Sequence, residues 1–184
     1  MLHTISVLVE NKFGVLSRIA GLFSGRGFNI DSLTVGPTHD ESLSRMTIIT
    51  HGDDNVLEQI DKQLNKLVDV VKVTDLTGSG FVNRELMLIK VKTTPQTRSE
   101  VMQITDIFKA CVVHVDLEIV VIQVTGPTAK LDAFIKLMAA FGIVELARTG
   151  SVALGRCPEP TEDLDMITPR PVPKSSVRKN DTPV

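Results

Sequence analysis

The stretch VENKFGVLSRIAGLFSGRGFNIDSL, residues 9–33, decides how the rest of the chain is read. It leaves an alternating run (Ile5, Val7, Val9) and crosses the polar loop Glu10-Asn11-Lys12-Phe13-Gly14. Val15, Leu16, Ile19, Leu22 and Phe23 then recur at the spacing of one helix face, which predicts a helix over residues 15–24. Gly25 and Gly27 stop it, and Phe28, Ile30, Leu33 and Val35 predict a strand over residues 28–36. Strand, loop, helix and strand in that order leave free backbone N–H groups at a helix start beside a glycine. Such a place suits a carboxylate, because unpaired donors and the helix dipole both point at it. No motif for bond-making chemistry accompanies it.

Working outward, residues 2–9 predict the first strand and LSRMTIITH, residues 43–51, the third. Gly52-Asp53-Asp54-Asn55 supplies helix-capping types ahead of a stripe formed by Val56, Leu57, Ile60, Leu64 and Leu67. Residues 70–76 close a βαββαβ set. The pattern then repeats: strand 85–92, helix 99–110, strands 111–115 and 118–125, a helix opened by Gly126-Pro127-Thr128, and strand 143–148. Both copies end alike, in Leu76-Thr77-Gly78-Ser79 and Arg148-Thr149-Gly150-Ser151. The expectation is an α+β chain of two successive ferredoxin-like units, 1–77 and 85–157, joined by a linker at 78–84. Each unit would form an antiparallel sheet of order 4-1-3-2 with both helices on one face. Six of the nine prolines lie from Pro158 onward, with few large apolar residues, so residues 158–184 are expected to be a disordered tail.

Composition narrows the function. Of 184 residues, 42% are hydrophobic, enough for real cores, and no apolar run approaches membrane-spanning length. A net charge of −2 exerts no general pull toward nucleic acid or an anionic membrane. Cys111 and Cys157 form no disulfide framework, and His3, His39 and His51 show no metal-ligand spacing. The strand pattern begins by Leu2, leaving no room for a targeting peptide, so a cytoplasmic protein is expected.

The candidate site is a binding site. Asn11 offers two donors and one acceptor, which matches the carboxylate and ammonium of an amino acid. Gly14 lets a ligand approach the N–H groups of Gly14, Val15 and Leu16. An Asx turn and a simple bend account for the same residues equally well. Asn29 starts the second strand, which the sheet order leaves at an edge without a proline guard until Pro37. Such an edge invites pairing with a second copy, which would bring one chain's Asn29 near the other's helix start. His114 and Asp116 read as structural, Arg18 as a solvated face, and Met46 and Met138 as core. An RNA-binding module of the same element order would need aromatics on its first and third strands, which are absent. An acylphosphatase-like hydrolase would need an arginine in the first loop, which has only Lys12.

ENKFGVLSRIAGLFSGRGFNIDSLTV, with SLSRMTI at 42–48 and LDAF at 131–134, closely resembles the regulatory small subunits of acetohydroxyacid (acetolactate) synthase. The first unit resembles their ACT domain. The resemblance implies a subunit without an active site or cofactor of its own, paired with a large catalytic subunit carrying thiamine diphosphate, Mg²⁺ and FAD. It implies activation of that subunit, homodimerisation through the ACT domain, and feedback inhibition by valine. The effector site carries over onto Asn11, Gly14, Val15 and Leu16 of one chain with Asn29 and Ile30 of its mate. Gly36 departs from the alanine expected there, and the tail runs past the usual end of the family. An ACT-type sensor serving a different metabolic enzyme is the alternative.

Overall fold

The computed structural model describes residues 1–78 and 80–156; the expectation for the tail lies outside them. The first unit runs β1 (Leu2–Glu10), α1 (Val15–Gly25), β2 (Ser32–Pro37), β3 (Leu43–His51), α2 (Asp54–Leu64) and β4 (Val70–Asp75). The second runs β5 (Phe81–Lys92), α3 (Arg98–Ile107), β6 (Cys111–Val115), β7 (Ile119–Gly126), α4 (Thr128–Met138) and β8 (Ile143–Gly155). The sheets are antiparallel with orders β2-β3-β1-β4 and β6-β7-β5-β8, as the alternation of the strands predicts.

The period-two pattern sorts each sheet into faces. In the first, Ile5 pairs with Ile48 and Val7 with Met46, and all four face α1 and α2. Val15, Ile19, Leu22 and Phe23 of α1 complete that core with Ile60 and Leu64 of α2. Burying a side chain such as Ile19 contributes roughly 1.5–3 kcal/mol. The second core is built the same way from Met87, Ile89, Ile122, Val124, Leu131, Phe134 and Met138. Asp53 caps α2 by accepting from the Val56 N–H at 2.8 Å.

Three expected boundaries move by about a helical turn or more. β2 begins at Ser32, not at residue 28, because Phe28 finishes α1 instead. Gly27 adopts φ 70°, the Phe28 N–H reaches back to the Phe23 carbonyl at 3.0 Å, and the Gly27 N–H to that of Ser24. The two phenyl rings then meet edge to face at 6.2 Å, the apolar contact that goes with this glycine-based helix end. β5 begins at Phe81, so most of the expected linker is strand. β8 continues past Arg148 to Gly155.

These two extensions pair with each other, Phe81 with Gly155 through Glu85 with Ser151. They form a ribbon across the face of the first sheet that its helices leave open. Thr4, Ser6 and Thr47 on that face are buried, and Thr47 accepts from the Ala153 N–H at 3.3 Å.

Candidate functional site

α1 starts without a side-chain cap and without an acid in its first turn. Gly14 stands at the cap position with φ 83°, a left-handed conformation that L side chains rarely adopt. The Val15 N–H reaches the Lys12 carbonyl only at 3.4 Å, whereas the helix proper begins with Arg18 N–H to Gly14 O at 3.0 Å. The first-turn donors are therefore weakly engaged, the condition for receiving an anion.

The charges around this turn are arranged in pairs. Lys12 binds Glu10 at 2.7 Å, and that hydrogen bond raises the lysine's pKa. Arg18 binds Asp69 at 2.7 Å, and its Nη1 stands 3.2 Å from where a Cβ on Gly14 would sit. Arg18 thus lies beside the helix start rather than on an idle face. Its position four residues beyond Gly14, one turn along, was the signal that could have marked it.

Each expected site residue can be placed. Asn11 is exposed and donates through Nδ2 to the Glu41 carbonyl at 2.9 Å, fixing the loop against the β2–β3 turn. Val15 is 3% exposed and its side chain belongs to the core, which leaves its backbone N–H as its possible contribution. Leu16 is 45% exposed, and Phe13, which sequence reasoning passed over, is fully exposed beside it. Asn29 and Ile30 lie at the far end of α1, in the connection to β2. Asn29 donates to Asp31 at 2.7 Å, its carbonyl accepts from Thr50 at 2.6 Å, and Asp31 pairs with His51 at 2.5 Å. Eleven helical residues, about 16 Å, separate the two groups within one chain.

The remaining candidates resolve simply. Asp116 accepts from the Leu117 N–H rather than from His114, and Met46 and Met138 are buried in their cores. Among the described residues no cluster of His, Cys, Asp or Glu could hold a metal ion, and no helix is long and apolar enough to cross a membrane.

A densely bonded polar cluster lies in the second unit. Glu85, 6% exposed at its side chain, accepts from Arg148 Nε at 2.7 Å and Nη2 at 2.8 Å, and from the Thr128 hydroxyl at 3.3 Å. Arg148 also binds Asp132 at 2.9 Å. The Glu85 hydrogen bonds raise the pKa of this guanidinium against the opposing effect of burial.

Comparison with known proteins places the fold and this helix start in a family. Residues 5–72 match the family described as AHAS small subunit-like ACT domain, and residues 84–157 match the family described as small subunit of acetolactate synthase. The chain belongs to the acetolactate synthase small-subunit family. A probable acetolactate synthase small subunit of Archaeoglobus fulgidus is 56% identical over 156 residues, 85% of this chain and 98% of that protein. The isozyme 3 small subunit of Escherichia coli is 50% identical over 157 residues, 85% and 96% of the two chains. The crystal structure of the small subunit from Thermotoga maritima superposes with a TM-score of 0.79 at 44% identity, covering 85% of this chain and 98% of that one.

Proposed function

We propose that the chain is the regulatory subunit of an acetolactate synthase: it activates a large catalytic subunit and carries valine inhibition to it. The observation that carries the effector assignment is the uncapped start of α1, with Gly14 at φ 83° and Arg18 beside it. A valine carboxylate there would accept from first-turn N–H groups, in charge-assisted bonds of roughly 1.5–3 kcal/mol each. Asn11 would hold the same ligand from the loop, and Leu16 offers the exposed apolar surface for its isopropyl group.

Asn29 and Ile30 would come from a second copy. β2 is the outermost strand of the first sheet, and two such margins paired around a two-fold would join the sheets and span the distance that one chain cannot. The partner large subunit, not this chain, would supply thiamine diphosphate, Mg²⁺ and FAD. Valine inhibits in this scheme by preferring a dimer geometry that activates the large subunit less, since equal affinity for both geometries shifts nothing.

Calorimetric titration with valine tests the assignment, with an expected Kd in a roughly micromolar to millimolar range for so small a ligand. In Gly14→Asp the new carboxylate faces the ligand's own. At about 4 Å and an effective dielectric near 20 the repulsion is about 4 kcal/mol, of which neighbouring Arg18 offsets a part. Affinity should fall about a hundredfold or more, with activation of the large subunit retained. An unchanged titration curve would rule this site out.

A further inference from the structure

We infer that β8, at Gly150 and Ser151, is the joint through which occupation of the effector site in the first unit is felt in the second. This rests on the effector reading above and adds the route. Gly150 adopts φ 81°, and a Cβ there would lie 2.6 Å from Ser32 Oγ and 2.8 Å from Thr34 Oγ1. A side chain there would have to displace both hydroxyls, and the left-handed φ is itself one that L side chains rarely adopt.

The joint is stitched by bonds at the long end of the hydrogen-bond range. The Thr34 hydroxyl donates to the Thr149 carbonyl at 3.3 Å, and the Ser151 N–H to Ser32 Oγ at 3.4 Å. Ser151 is 2% exposed, and its own hydroxyl is buried without a partner. Native chains rarely leave such a group unpaired. Here it lines a crevice of about 760 Å³ together with Ser32, Leu33, Thr128 and Arg148. A turn of the Ser32 side chain, with β2 still paired to β3, would give it a partner across the joint.

Both ends of the joint are firmly held. Upstream, Asn29 and Asp31 lead directly into Ser32 through short bonds. Downstream, Arg148 grips Glu85 at 2.7 and 2.8 Å and Asp132 at 2.9 Å. A shift of Asn29 onto a ligand thus moves Ser32 and Thr34, and β8 passes the movement to the start of α4. Coupling of this kind needs an element with two arrangements that both sites bias, and the loosely bonded joint is that element.

Hydrogen exchange of the full-length chain with and without saturating valine reads the route directly. Wild type should show altered exchange in β8 and at the start of α4 as well as in α1 and β2. In Gly150→Ala, valine should still bind within about threefold of wild type by calorimetry. The change in β8 and α4 should disappear, and the holoenzyme should need about tenfold more valine for half inhibition. Ser32→Ala with Thr34→Val removes the stitches without adding bulk and should behave the same way, which covers a folding defect in the glycine variant. Absence of valine binding in wild type would overturn the effector site itself. Binding with exchange changes confined to the first unit, or full inhibition in both variants, would overturn the joint alone.

Discussion

Truncating Arg148 isolates one strong electrostatic term. In Arg148→Ala the Glu85 carboxylate, 6% exposed in the intact cluster, loses both of its charged hydrogen bonds. What remains is the Thr128 hydroxyl at 3.3 Å, a long neutral contact. Stranding one partner of a buried pair costs about 3–5 kcal/mol. Asp132 is half exposed and returns to water at little expense. For a chain of this size each kcal/mol lowers the melting temperature by about 2–4 °C, so a drop of roughly 10 °C is expected. The paired change Glu85→Leu with Arg148→Met should recover most of it, because a packed apolar pair is often as stable as a buried ion pair. Scanning calorimetry of the single and double variants completes the cycle. A single variant within about 1 kcal/mol of wild type would refute the reasoning.

Two further outcomes follow from residues already described. Asn29→Ala removes one polar contact while leaving the helix start intact, so calorimetry should show valine affinity weakened about tenfold, not abolished. Asp53→Ala strips the side-chain cap from α2 and should lower stability by about 1 kcal/mol in denaturant unfolding, with valine binding untouched.

The fold was legible because its signals are local. Alternation in residues 43–51 and the three-and-four stripe from Val15 to Phe23 each repeat in the second unit, and together they specify the element order and both cores. Misreadings came where a residue answers to a distant partner. Phe28 and Ile30 alternate like strand residues, yet Phe28 is taken by the phenyl ring of Phe23. Thr149-Gly150-Ser151 reads as the end of the second copy, yet the strand runs on through it to lie against β2, more than a hundred residues earlier in the chain. At the candidate site the backbone is readable, since Gly14 before an apolar stripe predicts an open helix start. For Arg18 the sequence carries only the spacing, one turn beyond Gly14; its pairing with Asp69 depends on where the two meet in space.

The ribbon of β5 and β8 has a consequence for how the chain is assembled and cut. Its contacts with the first sheet join residues 106 and 115 positions apart, Thr47 to Ala153 and Thr34 to Thr149. On the ribosome the first sheet is made early, but its open side stays wet until β8, the final described strand, emerges and lies down on it. A shortened gene ending near Leu76 would therefore yield a sheet with Thr4, Ser6 and Thr47 unroofed. The tidy boundary that the repeat invites an engineer to use parts the first sheet from the wall that the second half lends it.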